Sequence, residues 1–306
     1  MPRYLFLMFA CVWLSACAVH EHRPATTAAE SVPEYEIQHV GPVRYTPDDW
    51  PEALSADVYL PAAEGRFPAV LVVHGGGWSG GERSNMKGNA QALARAGFVA
   101  VNISYRLAPA SQFPDQLNDL QQAMRWIHRN AEQYKIDTAR IGGFGYSAGA
   151  HLVALLGVTH ADSVLDEPYG GAQTRLNAVA CGGTPADLAA FGKSGRLLRQ
   201  FMGGTKQQMP ERYAAASPIT HVSADSPPFF LYHGQWDTLV PISQSENFAA
   251  RLQSAGVHAE LLRLRFRGHI GAYFIDGTAI EKSIDFLQRE LALPDASQSP
   301  RAGSET

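Results

Sequence analysis

The chain has 306 residues, a formal net charge of −4 and 45% hydrophobic residues. This length and composition predict one large α/β domain with a well-buried core and require no second domain. The balanced charge argues against a nucleic-acid partner, because neutralising phosphates requires a basic stripe that the sequence lacks.

The first residues predict an export signal that is not part of the fold. Arg3 is followed by an apolar run over residues 4–14, which is short for a membrane span and has the length of a signal-peptide core. The run ends in Leu14-Ser15-Ala16-Cys17, which resembles a bacterial lipobox. We therefore predict a signal peptide over residues 1–16 and lipid attachment at Cys17, with an ordinary secretory signal as the alternative.

Polar segments flank the predicted folded domain at residues 36–293. Residues 17–35 are predicted to be the lipidated cysteine and a flexible tether, and residues 294–306 a disordered tail. A mature chain beginning at Cys17 would keep Cys181 as its one free thiol, so no internal disulfide is expected. Cys181 lies in an apolar stretch, which favours a small buried side chain over a catalytic thiol.

Strand and helix patterns alternate through the predicted domain. Alternating polar and apolar residues at 36–40 and 54–60 predict an antiparallel hairpin at one edge. Apolar runs predict core strands at residues 69–73, 98–103, 140–144, 176–181, 229–232 and 260–264. Helices are predicted at residues 115–130, 148–156, 243–252 and 279–291. The alternation predicts a mostly parallel sheet of about eight strands with helices on both faces, and ligands binding at the carboxyl ends of the strands.

A G-x-S-x-G pattern at residues 145–149 follows one predicted strand and precedes a predicted helix. Such a sharp turn needs small flanking residues, and it exposes the central serine at a helix N-terminus. The pattern predicts Ser147 as a nucleophile, and the alternative is a structural serine in a turn.

A glycine-rich loop, His-Gly-Gly-Gly-Trp at residues 74–78, directly follows the 69–73 strand. Preorganised backbone N–H groups stabilise the oxyanion of acyl transfer, and consecutive glycines let the backbone approach a substrate. We predict the N–H groups of Gly76, Gly77 and Ala148 as oxyanion donors and His74 as a brace of the loop. No G-K-[ST] follows the loop, which argues against a phosphate-binding loop.

A nucleophilic serine needs a histidine base, which in turn needs an orienting carboxylate. Asp237 follows the 229–232 strand and His269 follows the 260–264 strand, in the chain order Ser, acid, His. The competing acids Asp225 and Asp276 do not directly follow a strand. Competing bases are interpreted as a packing residue on the helix after Ser147 or as surface and loop residues: His151, His160, His221, His233 and His258.

Three motifs together resemble the signature of α/β-hydrolase esterases: residues 74–78, Tyr-Arg-Leu-Ala-Pro at 105–109, and Gly-Tyr-Ser-Ala-Gly-Ala-His at 145–151. The most similar branches are the hormone-sensitive-lipase-like esterases and the bacterial BD-FAE esterases, and the resemblance spans residues 36–293. It implies the α/β-hydrolase fold and hydrolysis of carboxylic esters through an acyl-enzyme on Ser147, with no cofactor and no metal. It also implies that residues 105–109 support the oxyanion loop.

The sequence departs from the hormone-sensitive-lipase-like pattern in the cap that covers the site. Hormone-sensitive-lipase-like enzymes carry an N-terminal helical cap, whereas here a short polar tether precedes the first strand. Residues 187–213 could form a small cap instead, which favours the BD-FAE-like branch. An open site would admit short-chain acyl esters or acetyl and feruloyl esters on a polysaccharide, with Trp78, Tyr146 and Trp236 lining the pocket.

Two other functions remain open from the sequence. A serine peptidase or amidase would use the same three residues, and an envelope lipoprotein could keep the fold as a binding module. The absence of a propeller-like region counts against the oligopeptidase type. Because Ala18 rather than Asp follows Cys17, we expect a lipid anchor in the bacterial outer membrane facing the periplasm, with secretion as the alternative. The expected partner is an ester substrate, and the oligomeric state stays open.

Overall fold

The computed structural model describes residues 34–161, 163–191, 195–274 and 277–292. The predicted signal peptide, the lipidation site Cys17, the tether up to residue 33 and the predicted tail lie outside the described residues, and so does Asp276. No helix in the described ranges combines the length and the apolar character that crossing a membrane requires.

Eight strands form one sheet within the described residues. They are β1 (Ile37–Arg44), β2 (Ser55–Pro61), β3 (Phe67–Val73), β4 (Val99–Ile103), β5 (Ile136–Tyr146), β6 (Ala178–Gly182), β7 (Phe229–Gly234) and β8 (Ala259–Leu264). Their order is β1-β2-β4-β3-β5-β6-β7-β8. β2 pairs antiparallel with β1 and β4, and the other pairs are parallel. The predicted edge hairpin and the mostly parallel eight-stranded sheet are confirmed.

Eight α-helices connect or follow these strands in the described chain. They are α1 (Lys87–Arg95), α2 (Asp115–Arg129), α3 (Ala148–Val158), α4 (Arg196–Met202), α5 (Pro210–Ala215), α6 (Ser243–Ser254), α7 (His269–Phe274) and α8 (Gly277–Glu290). α1 and α8 contribute to one buried core, whereas α2, α3 and α6 contribute to a second. The helices therefore cover both faces of the sheet.

The side chains of the central strands divide between these two cores. In β3, Val70 and Val72 join the core that contains α1 and α8, while Leu71 and Val73 join the core of α2, α3 and α6. Successive side chains of a strand point to opposite faces, so a strand buried on both faces has to be apolar at every position. This is the physical reason for the continuous apolar runs in the sequence.

Several elements were missed or shortened in the sequence prediction, among them α1, β5 and α7. α1 was not predicted, because its buried face consists of Ala90, Leu93 and Ala94, and small alanines give a weak helical pattern. β5 begins at Ile136 rather than at residue 140, because its polar first residues pair with β3 before a bulge between Pro68 and Ala69. The short helix α7 was also not predicted.

α3 carries the predicted nucleophile at its N-terminus and is buried along its whole length. A helix that is apolar all round belongs in the interior, where it packs here against β5, β6 and α2. Its position is therefore fixed from several sides, and the residue that begins it is held rigidly at the carboxyl end of β5.

Candidate active site

Ser147 occupies the turn between β5 and α3 with a strained backbone, φ 54° and ψ −120°. A positive φ is costly for a residue with a side chain, and such strain persists only where the surroundings impose it. Here the N–H of Ser147 donates to the carbonyl of Gly182 at 2.8 Å, and its carbonyl accepts from the N–H of His151 at 2.9 Å. These bonds tie the turn to β6 and to the first turn of α3.

The glycines on either side of Ser147 are required by close backbone contacts. A Cβ atom on Gly145 would lie 2.6 Å from the backbone of Gly149, and one on Gly149 would lie 2.2 Å from the carbonyl oxygen of Val73. Both distances are too short for any side chain. The turn can therefore bring β5, α3 and the end of β3 together only with glycine at both positions.

The structure brings the three residues of the predicted triad together. Nε2 of His269 lies 2.9 Å from Oγ of Ser147, and Nδ1 of His269 lies 2.5 Å from Oδ2 of Asp237. Asp237 follows β7, and His269 is the first residue of α7 after β8. A hydrogen on Nδ1, donated to the carboxylate, leaves Nε2 free to accept the serine proton. The arrangement suits proton transfer from Ser147 to His269.

Asp237 is buried and held by several donors. Its Oδ1 accepts the N–H groups of Leu239 at 2.9 Å and Val240 at 2.8 Å. Burial alone would raise the pKa of Asp237, but hydrogen bonds from His233 and His269 outweigh it and hold the pKa well below its ordinary value. Asp237 is therefore a carboxylate at neutral pH, as an orienting acid has to be.

His233 is a site residue that the sequence interpretation placed on the surface or in a loop, and that interpretation is wrong. It is fully buried at the end of β7. Its Nε2 lies 2.8 Å from the carbonyl of Val240 and 3.2 Å from Oδ2 of Asp237. Because both neighbours accept, Nε2 carries the hydrogen, and Nδ1 takes its bond from the hydroxyl of Ser245 at 2.7 Å. Its place four residues before Asp237, inside an apolar strand, was the available signal.

The predicted oxyanion loop lies against the serine turn. Gly76, Gly77 and Trp78 follow one another with φ values of 118°, 60° and 59°. A Cβ atom built on the preceding Gly75 would lie 3.4 Å from Cβ of Ser147. The loop thus makes a tight left-handed turn beside the nucleophile, and Gly76, Gly77 and Ala148 border the same cavity as Ser147.

The side chain of Trp78 fixes this loop to two helices. Its indole Nε1 donates to Nδ1 of His151 on α3 at 3.1 Å. Its ring stacks on Phe201 of α4, with centroids 4.6 Å apart and an interplanar angle of 11°. On the other side of the imidazole, Nε2 of His151 lies 2.7 Å from the carbonyl of Ala216. Burial lowers the pKa of His151 to about 4, so the ring is neutral and accepts at Nδ1.

His74 and the segment after β4 support the base of the loop. The ring of His74 stacks on Tyr105 with centroids 4.3 Å apart, and the Tyr105 hydroxyl donates to the carbonyl of His74 at 3.0 Å. Next to it, Arg106 forms a buried ion pair with Asp119 of α2 at 2.8 Å. These contacts agree with the predicted roles of His74 and residues 105–109 as structural support.

A cavity of about 880 Å³ opens onto Ser147 and His269. Trp78 and Tyr146 line it as predicted, and the Tyr146 hydroxyl also donates to the carbonyl of His269 at 2.6 Å. Another wall comes from the predicted cap segment, through Phe191 and the first turn of α4. The cap segment between β6 and β7 thus forms one wall of the cavity.

Trp236 does not line the cavity, contrary to the sequence prediction. Its side chain is 63% exposed, and its ring packs edge-on against Phe266 with centroids 5.1 Å apart. The turn after β7 is held by a hydrogen bond from the N–H of Trp236 to the carbonyl of Arg267 at 2.9 Å. In this turn Trp236 faces solvent, although it neighbours Asp237 in sequence.

Cys181 and the candidate metal ligands complete the list of reactive side chains in the described chain. Among the described residues, no group of three His, Cys, Asp or Glu side chains is arranged to hold a metal ion. Cys181 lies buried in β6, and burial raises the pKa of its thiol to about 12, which suppresses the reactive thiolate.

Comparison with known proteins agrees with this geometry. The family model described as BD-FAE matches residues 56–252, which is more than half of the chain. The chain belongs to the BD-FAE family. This assignment confirms the BD-FAE-like branch, which the short polar segment before the first strand favoured over the hormone-sensitive-lipase-like branch.

Two relatives of this BD-FAE member come from Mycobacterium tuberculosis. The probable carboxylic ester hydrolase LipM is 32% identical over 211 residues, which cover 64% of this chain and 48% of LipM. The esterase LipQ is 31% identical over 232 residues, which cover 72% of this chain and 55% of LipQ. The chain spans about half the length of these curated relatives.

A solved structure of similar fold is the thermophilic esterase Est2 of the Planctomycetes species Thermogutta terrifontis with butyrate bound. It matches the BD-FAE member with a TM-score of 0.67 and 25% sequence identity, over 85% of this chain and 94% of Est2. The α/β-hydrolase fold is therefore shared with an esterase that holds a short carboxylic acid.

Proposed function

We propose that this BD-FAE family member is a serine carboxylesterase that hydrolyses esters through an acyl-enzyme on Ser147. The hydrogen-bonded chain from Ser147 through His269 to Asp237, with distances of 2.9 and 2.5 Å, carries the proposal. Ser147, at one end of this series of hydrogen bonds, borders an apolar cavity beside the glycine loop. The names of LipM, LipQ and Est2 support the same activity.

In the first half-reaction, Oγ of Ser147 attacks the ester carbonyl carbon while Nε2 of His269 takes the hydroxyl proton. A tetrahedral intermediate with a negative oxygen forms. As it collapses, the bond between carbon and the alcohol oxygen breaks, and His269 returns the proton to the leaving alcohol. The acyl group then remains on Ser147 as an ester.

In the second half-reaction, water takes the place of the alcohol. His269 accepts a proton from the water as its oxygen attacks the acyl carbon, and it gives that proton back to Oγ of Ser147 as the acid leaves. Asp237 stays ionised throughout and stabilises the imidazolium that forms twice in each cycle.

The N–H groups of Gly76, Gly77 and Ala148 are the proposed donors to the negative oxygen in both intermediates. Their rigid surroundings support this role, because Trp78 clamps the loop and the buried α3 fixes Ala148. Preorganised donors need no reorganisation at the moment of reaction, and removal of one such donor costs about 3–4 kcal/mol of transition-state stabilisation.

Short-chain acyl esters and acetyl or feruloyl esters attached to a polysaccharide are the proposed substrates. The cap leaves a cavity of about 880 Å³, with aromatic side chains of Trp78 and Tyr146 in its wall. Such surfaces suit a compact acyl group or a planar phenylpropenoyl group.

The test is hydrolysis of p-nitrophenyl esters from acetyl to long-chain acyl, with Ser147→Ala as the matched control. We expect kcat/KM to peak at short chains and to vanish in Ser147→Ala. Comparing each ester with the corresponding p-nitroanilide separates an esterase from an amidase. A folded protein that cleaves no ester, or cleaves anilides equally well, contradicts the proposed function.

We also propose that the mature chain is anchored in the bacterial envelope through a lipid on Cys17, facing the periplasm. The lipobox-like sequence before Cys17 and the polar tether after it support this location. Incorporation of labelled palmitate that is lost in Cys17→Ser is the expected result. Equal labelling of both proteins, or none of either, contradicts the anchor.

A further inference from the structure

One permanently cationic side chain lines the mostly apolar cavity. Among the described lining residues, Arg196 on the first turn of α4 is the one permanently charged group, and no carboxylate is present. Most of the other walls are glycine, leucine or aromatic side chains. A guanidinium in such surroundings has no counter-charge of its own within the cavity.

Several other arginines of the described chain are paired with carboxylates, whereas Arg196 is not. Arg83 pairs with Asp57 at 3.0 Å, Arg175 with Asp166 at 2.7 Å, and Arg106 with the buried Asp119. Arg196 is exposed and makes no hydrogen bond or ion pair with the described part of the chain. Its five N–H donors are therefore available to a ligand.

The helix that Arg196 begins, α4, packs against the oxyanion loop. A Cβ atom built on Gly77 of the oxyanion loop would lie 2.7 Å from Cδ1 of Leu197, the residue after Arg196. Further along the same helix, Phe201 is buried against the ring of Trp78. The first turn of α4 is thus packed onto the oxyanion loop and is not a distant part of the rim.

We propose that Arg196 selects esters that carry a negatively charged group, such as a carboxylate, near the scissile bond. The inference deepens the proposed esterase function and rests on it. A planar guanidinium binds a carboxylate through two parallel hydrogen bonds. The anion resides either in the acyl half or in the alcohol half of the ester, and the chemistry of recognition is the same.

The expected size of the effect follows from the exposure of Arg196. Partly exposed charge pairs contribute about 1 kcal/mol, so an anionic ester should gain about fivefold in kcat/KM from Arg196 over a neutral ester of the same shape. Because salt screens exposed charges, about 0.5 M NaCl should remove most of that gain.

Two matched substrate pairs test the proposal and locate the anion. For the acyl half, mono-p-nitrophenyl adipate is compared with p-nitrophenyl hexanoate. For the alcohol half, para-acetoxybenzoate is compared with para-acetoxybenzamide. The variant is Arg196→Gln in the full chain, and the control is Arg129→Gln, which removes the same charge from an exposed position on α2 outside the cavity lining.

We expect Arg196→Gln to lower the anionic-to-neutral ratio of kcat/KM by about fivefold in at least one pair, and we expect the same ratios to be unchanged in Arg129→Gln. Ratios that stay the same in Arg196→Gln for both pairs, or that fall equally in Arg129→Gln, overturn the anion preference alone. Failure to cleave any of the four esters contradicts the proposed function and this inference with it.

Discussion

The indole Nε1 of Trp78 donates a hydrogen bond to Nδ1 of His151 over 3.1 Å, between two residues 73 positions apart in the chain. This bond joins the oxyanion loop to the helix that carries Ser147. It matters because Trp78 has φ 59°, a conformation that its side chain disfavours and that the surroundings must maintain. The position of the proposed oxyanion donors therefore depends on His151, a buried residue that does not line the cavity.

Replacing His151 should test this dependence. His151→Leu removes the acceptor for Trp78 and leaves the indole N–H without a partner, so we expect kcat to fall by about tenfold with little change in KM. His151→Gln keeps both a donor and an acceptor and should recover most of kcat. Steady-state kinetics with a short-chain p-nitrophenyl ester measure both. An equal kcat in wild type and His151→Leu would show that the oxyanion loop keeps its conformation without the hydrogen bond to His151.

The same histidine should make the fold sensitive to acid. Burial lowers the pKa of His151 to about 4 in the folded protein, against an ordinary value of 6.5. Below pH 6.5 the histidine of the unfolded chain binds a proton that the buried ring of the folded protein does not take up. The free energy of unfolding is therefore highest above pH 6.5 and falls as the pH is lowered toward 4. We expect about 2 kcal/mol of the free energy of unfolding to disappear over this window on account of His151.

Urea unfolding at pH 7 and at about pH 4.5 measures that loss. The His151→Gln variant does not titrate there and should lose about 2 kcal/mol less than wild type between the two pH values. If both proteins lose the same free energy, protonation of His151 is not what destabilises the fold.

His233 should act on the reaction through Asp237. His233→Phe removes one donor to the carboxylate, so the pKa of Asp237 should rise and kcat should fall by about tenfold. In the profile of kcat/KM against pH, the acid limb should move to higher pH, which a purely structural loss would not produce. Asp237→Asn, which removes the carboxylate itself, should cost about 10⁴-fold. An unshifted acid limb in His233→Phe contradicts the role of His233 in positioning and charging Asp237.

Gly149→Ala should prevent folding. The added Cβ would lie 2.2 Å from the carbonyl oxygen of Val73 and 2.6 Å from that of His74, and these backbone atoms at the end of β3 cannot rotate away as a side chain could. We expect a loss of more than about 3 kcal/mol, seen as insoluble or unfolded protein by circular dichroism. The control is Gly88→Ala in α1, where a Cβ meets nothing within 4 Å and should stabilise the helix by about 0.5–1 kcal/mol. A folded Gly149→Ala with wild-type melting temperature would refute the close contact.

The sequence was sufficient to predict the sheet and the meeting of Ser147, Asp237 and His269. Each of these residues directly follows an apolar strand run, and parallel strands end at the same edge of the sheet. The apolar runs therefore predicted that all three residues lie at one edge of the sheet. Their order along the chain predicted which residue is the acid and which is the base.

The parts that the sequence did not predict depend on contacts between distant segments. His151 reaches the carbonyl of Ala216, 65 positions away, and no local pattern indicates that partner. Trp236 was expected in the cavity because it neighbours Asp237, but the direction of a side chain in a turn depends on the backbone conformation that long-range bonds impose. The position of His233 inside an apolar run indicates burial, but it does not identify Val240, Ser245 and Asp237 as the partners that make His233 part of the site.

The most direct measurement of the central proposal is a rapid-quench experiment with p-nitrophenyl acetate, analysed by mass spectrometry of the peptide that contains Ser147. We predict a burst of p-nitrophenol close to one equivalent per protein when deacylation is made slow at low pH, with an acetyl group on Ser147. Ser147→Ala should show neither burst nor adduct. Turnover by the folded protein without an adduct on Ser147, or with the acetyl group on another residue, would contradict the assignment of Ser147 as the nucleophile.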